Sequence, residues 1–73
     1  MEQTLRDLRR ASKKTAAEVA EALHVSAQTV YRYEYGSRCI DIQQALDLAH
    51  YYEITVEEVI QAQLESIRIR KAN

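Results

Sequence analysis

The stretch TAAEVAEALHVSAQTVYRYEYG, residues 15–36, decides the fold. Thr15 followed three residues later by Glu18 is a capping box, in which each side chain satisfies a backbone N–H that the first helical turn leaves orphaned. Behind it Ala16, Val19, Ala20 and Leu23 fall on one helical face. Ser26 is an N-cap residue for a second helix, on which Val30 and Tyr33 share one face while Gln28, Tyr31, Arg32 and Tyr35 point elsewhere. Gly36, the only glycine, stands where a left-handed residue stops that helix. Only His24, Val25 and Ser26 separate the two helices, so the spacing predicts a tight αα corner.

Working outward, Leu5 and Leu8 predict a first helix from about Thr4 to about Ser12. Asp41 with Gln44, and Thr55 with Glu58, are two further capping boxes. The fourth helix is expected to bury Ile42, Ala45, Leu46, Ala49 and Tyr52; the fifth offers Val56, Val59, Ile60, Leu64 and Ile67 at three- and four-residue steps. The expectation is an all-α fold, a compact five-helix bundle containing a helix-turn-helix. It fills a single domain over residues 1–73, with a core over about 4–62 and a C-terminal extension over about 63–73.

Composition narrows the function classes. With 47% hydrophobic and 29% charged residues and no proline, the 73-residue chain suits a globular helical protein. One cysteine, Cys39, offers no internal disulfide, no apolar run has the length of a membrane helix, and Met1 leads into a polar stretch. These features predict a soluble, cytoplasmic protein. Cys39, His24 and His50 stand at unrelated spacings, and one glycine cannot build a phosphate-cradling loop, so the expectation is no enzyme, no catalytic residues, no metal and no cofactor. The net charge of −1 hides an asymmetry. Residues 1–38 carry seven bases against five acids, a balance of +2, and residues 39–73 carry three against six, a balance of −3.

Taken in order, Thr15-Ala-Ala-Glu-Val-Ala20, Leu23-His-Val-Ser26, Thr29-Val30, Arg32-Tyr33-Glu34 and Gly36 resemble the phage repressor and Cro type helix-turn-helix family. The likeness covers about residues 4 to 60, continuing through Asp41-Ile42, Leu46, Leu48-Ala49 and Ile54-Thr55 to Val59. It implies a lambda repressor-like DNA-binding domain, a transcriptional regulator and repressor that places the third helix, about Ala27 to Tyr35, in the major groove of double-stranded DNA. By position it implies base contacts from Ser26, Ala27, Gln28 and Arg32. Chemistry supports two of these independently. A Gln amide pairs bidentately with adenine and an Arg guanidinium with guanine, for roughly 1–3 kcal/mol of discrimination each, and Ala27 can meet a thymine methyl.

The expected phosphate contacts are Lys13, Lys14, Thr15, Tyr31, Tyr35 and Arg38. For Lys13, Lys14 and Arg38 a merely solvated surface stays open, as does simple cover of neighbouring side chains for Tyr31 and Tyr35. Arg9 and Glu34 match a structural pair of the family that joins the first and third helices; read as an exposed pair, it is worth about 0–1 kcal/mol and serves orientation. Departures are Ala16 for a phosphate-gripping glutamine, His24 for the turn glycine, Lys13 and Lys14 for small or apolar residues, and Ile40 for proline. Area and twofold operators favour a homodimer, with Leu64, Ile67 and Ile69 as its surface and a frayed tail as the alternative. No membrane and no small-molecule substrate are expected partners. The competing function is a helix-turn-helix-fold protein-interaction module, an antitoxin, antirepressor or adaptor, favoured by the weak net charge and Ala16.

Overall fold

Each predicted capping box closes. In the computed structural model, which describes residues 3–72, Thr15 Oγ1 accepts from Glu18 N–H while Glu18 Oε1 accepts from Thr15 N–H. Asp41 with Gln44 and Thr55 with Glu58 do the same, and Ser26 Oγ accepts from Thr29 N–H. A further box, Thr4 with Asp7, starts the first helix. These starts give α1 (Leu5–Ala11), α2 (Ala16–Leu23), α3 (Ala27–Tyr35), α4 (Ile42–Tyr52) and α5 (Val56–Ala72), and no strand among the described residues. Residues 1, 2 and 73 of the expected domain lie outside them.

The helix stops use left-handed residues, and only one of them is glycine. Gly36 (φ +86°) caps α3, whereas Lys13 (φ +58°), His24 (φ +59°) and Glu53 (φ +57°) hold that conformation with side chains. After α2 and α4 the chain closes the turn by the same six-residue hydrogen bond, Val25 N–H to Ala20 O and Ile54 N–H to Ala49 O.

The core joins Leu5 and Leu8 of α1, Ala16, Val19, Ala20 and Leu23 of α2, and Val30 and Tyr33 of α3. Ala45, Leu48 and Ala49 of α4 and Val59 and Ala62 of α5 complete it. Helix α5 packs on α1, α3 and α4; α2 packs on α3 and α4. Two expected faces are borne out in part, with Ala45, Ala49 and Val59 inside, and turned in part. Ile42 and Leu46 are exposed, Tyr52 is half-buried, and Leu48 takes the inner position on α4. On α5 only Val59 of the expected apolar set is fully buried; Ile60 and Leu64 face outward, Val56 and Ile67 are half-buried, and Ala62, Gln63 and Ser66 lie inside.

The inner side of α5 is closely approached by α3. A Cβ at Gly36 would sit 2.7 Å from Ser66 O and 3.1 Å from Ile67 Cα, so the end of α3 touches the α5 backbone directly. Backbone meets backbone there, which leaves no room for a side chain at position 36. The buried polar groups are satisfied: Ser66 Oγ donates to Ala62 O and accepts from Leu5 N–H, and no buried side-chain polar atom among the described residues lacks a partner.

Candidate nucleic-acid interface

The corner between α2 and α3 has the three-residue length that the sequence predicts. His24 takes a left-handed conformation (φ 59°, ψ 43°), Val25 packs on the core, and Ser26 caps α3. With Val30 and Tyr33 turned inward, Gln28, Tyr31, Arg32 and Tyr35 make one exposed stripe along α3 at steps of three, one and three residues. An amide, a guanidinium and two phenols are thus presented together on a helix whose opposite side is fixed.

Three side chains do the fixing. Arg9 of α1 grips Glu34 of α3 bidentately, Nε to Oε2 at 2.6 Å and Nη2 to Oε1 at 3.2 Å, and its Nη1 donates to Lys14 O at 3.1 Å. The pair is largely buried, its side chains 14% and 8% exposed, which corrects its reading as an exposed pair. The hydrogen bond to Glu34 raises the Arg9 pKa above its ordinary value against the opposing effect of burial. Tyr33 Oη donates to Gln44 Oε1 at 3.0 Å, tying α3 to the start of α4. Gln63 of α5 uses both ends of its amide: Nε2 donates to Tyr33 O at 3.3 Å and Oε1 accepts from Ile40 N–H at 3.0 Å. Behind this frame, burial lifts the Tyr52 phenol well above its usual pKa, with Glu34 adding to the shift.

The remaining expected contacts are placed unevenly. Ser26 and Thr15 are exposed, but their hydroxyls already cap α3 and α2; Ala27 is half-buried against the core. Lys13 and Arg38 are exposed. The Lys14 ammonium lies 5.5 Å from the Tyr51 ring centroid at the end of α4, an attraction of about 0.5–1 kcal/mol that a phosphate would have to match. Leu64 and Ile67 meet Ile42, Leu46 and Ile60 along an apolar groove of ≈ 460 Å³ between α4 and α5, whereas Ile69 is exposed outside that lining.

Gln63 and Ser66 escape the sequence reading, although Gln63 stands four residues after Val59 and Ser66 seven, on the helical stripe that is buried. Among the described residues no three His, Cys, Asp or Glu side chains are grouped to hold a metal ion, and no helix is long and apolar enough to cross a membrane.

The helix-turn-helix domain family matches residues 3–61 of the chain. No curated protein and no solved structure matches it.

Proposed function

The chain belongs to the helix-turn-helix domain family, which implies DNA binding and regulation in general, and from that premise we propose a sequence-specific double-stranded DNA-binding repressor that inserts α3 in the major groove. The observation that carries this reading is the exposed stripe of Gln28, Tyr31, Arg32 and Tyr35 on a helix fixed from behind by Arg9, Tyr33 and Gln63. Gln28 and Arg32 read base edges, with Ser26 and Ala27 at the helix entry; Lys13, Thr15, Tyr31, Tyr35 and Arg38 hold the backbone, and Lys14 joins them by leaving Tyr51. Residues 1–73 act as one DNA-binding domain in the cytoplasm, without catalysis, cofactor or small-molecule substrate of their own.

Two copies read two half-sites, meeting through the groove between α4 and α5. Ile42, Leu46, Ile60 and Leu64 are 82%, 49%, 47% and 55% exposed, together a little over two whole aliphatic side chains. Covering them is worth about 3–7 kcal/mol per protomer, doubled by twofold symmetry, against an association cost of about 4–15 kcal/mol. That balance describes a dimer of modest strength, completed on its operator. Of the expected dimer surface this assigns Leu64 and Ile67 to the interface and leaves Ile69 outside it.

Selection from a random duplex pool, followed by salt titration of the enriched sequence, tests the proposal. A twofold-symmetric motif that Gln28→Ala with Arg32→Ala no longer recognises is the expected result. No enrichment at low salt would instead favour a protein-interaction module, an antitoxin, antirepressor or adaptor, the reading that the same apolar groove supports.

A further inference from the structure

The last turn of α5 comes to the end of the stripe on α3. The Arg70 guanidinium carbon lies 5.3 Å from the centroid of the Tyr35 ring, within cation–π range, and Tyr35 is itself 66% exposed. A guanidinium laid on a ring keeps the N–H donors of its rim, the edge that matches a phosphate bidentately. Beside Tyr35 runs an open groove of ≈ 540 Å³ between α1 and α3, lined by Arg6, Arg9, Tyr31, Glu34 and Tyr35. Arg9 is matched by Glu34 in this groove, so its charge is locally cancelled. Arg6, on its wall, and Arg70, over Tyr35, have no ion-pair partner among the described residues.

We infer that Arg70, held on Tyr35, and Arg6 on the neighbouring groove form a clamp for the duplex backbone, each guanidinium taking one phosphate, supplied by α5 and α1. The inference rests on the DNA-reading proposal, because Tyr31 and Tyr35 belong both to the exposed stripe and to this groove. A duplex that takes the stripe in its major groove carries a strand past the end of α3, where Arg70 lies on Tyr35 and the groove that Arg6 lines opens. The clamp also supplies an anchor that the start of α2 lacks, where Ala16 is a buried methyl with nothing to offer a phosphate. The C-terminal extension thereby acquires a use other than dimerisation.

The test is a salt titration of binding to the enriched duplex and to a duplex of arbitrary sequence, with wild type, Arg70→Gln, Arg70→Lys and Arg6→Gln. Each lost phosphate contact lowers the magnitude of the slope of log affinity against log salt by about 0.9. Arg70→Gln and Arg6→Gln should each show that decrease, with a roughly tenfold weakening at low salt that is equal on both duplexes, while Arg70→Lys keeps the slope. A side chain that only covers Tyr35 would leave the slope at its wild-type value. Wild-type slope and affinity in both Gln variants would overturn the clamp, and if Gln28→Ala with Arg32→Ala still abolished discrimination, base reading by α3 would stand without it. Absence of duplex binding by the wild type at low salt would remove both proposals.

Discussion

Gly36→Ala should cost this domain a large part of its stability. At φ +86° an L side chain forfeits about 1–2 kcal/mol of local conformational energy. The added Cβ would also lie 2.7 Å from Ser66 O and 3.1 Å from Ser66 C, both of them backbone atoms of α5 that no rotamer change can move aside. Overpacking of this kind costs about 1–3 kcal/mol. Alanine's smaller unfolded-state freedom returns about 0.4–1 kcal/mol. The net loss is about 1–5 kcal/mol, centred near 3, against a total of roughly 4–11 kcal/mol expected for a chain of this length. Equilibrium urea unfolding followed by far-ultraviolet circular dichroism measures it, with Ser37→Ala, one exposed residue later, as the control. The midpoint should fall while the slope with denaturant stays constant, since the same surface is exposed on unfolding. A loss below about 1 kcal/mol would mean that α3 and α5 separate at little cost, and the direct contact of their backbones would not hold.

Three further outcomes follow from the same contacts. Glu34→Gln leaves the largely buried Arg9 guanidinium without its counter-charge and should destabilise by about 2–3 kcal/mol in the same unfolding assay; a change within about 0.5 kcal/mol would return the pair to a merely orienting role. His24→Gly relieves a left-handed side chain at the price of backbone freedom, for a net gain of about 0.5–1 kcal/mol, and a destabilised variant would show that the His24 side chain makes a contact of its own. The Glu18 carboxylate is held below its ordinary pKa of 4.5, first by the Thr15 backbone N–H and then by the Thr15 side chain. Its folded pKa is depressed, so its contribution is fully present above 4.5 and is lost as pH falls through the lower folded value. Glu18→Gln should therefore lose less stability than wild type between about pH 5 and about pH 3, and parallel curves would contradict the assignment.

Local signals made the helix boundaries legible. Hydroxyl or carboxylate caps at Thr15, Asp41 and Thr55, each with its partner three residues on, act within one turn and need no tertiary context, and α3 begins and ends at the residues that Ser26 and Gly36 predict. Which face of α4 and α5 lies inside was legible in part: Ala45, Ala49 and Val59 are buried as the sequence predicts, whereas Ile42, Leu46, Ile60 and Leu64 are not. Both helices carry two stripes, and the more apolar one, with Ile42, Leu46, Ile60 and Leu64, is the one left outside. Hydrophobic periodicity selects the larger side chains, whereas the inner side of α5 meets backbone, where Gln63 bonds Tyr33 O and Ile40 N–H and Ser66 bonds Leu5 N–H. The stripe on α3 was legible because Val30 and Tyr33 leave no alternative inner face. The burial of Arg9 with Glu34 was not, since it depends on how α1 crosses α3.

Gly36 and Gln63 together weld the end of α3 to α5, leaving no soft joint between the stripe and the groove that α5 shares with α4. A pair of molecules joined at that groove would present its two α3 helices at one separation and one mutual angle. The permitted spelling of an operator then includes its spacer. Inserting one base pair between half-sites turns one of them by roughly 35° about the duplex axis, a rotation that the contact between α3 and α5 does not follow, so binding should depend on the spacer as well as on the letters of the half-sites.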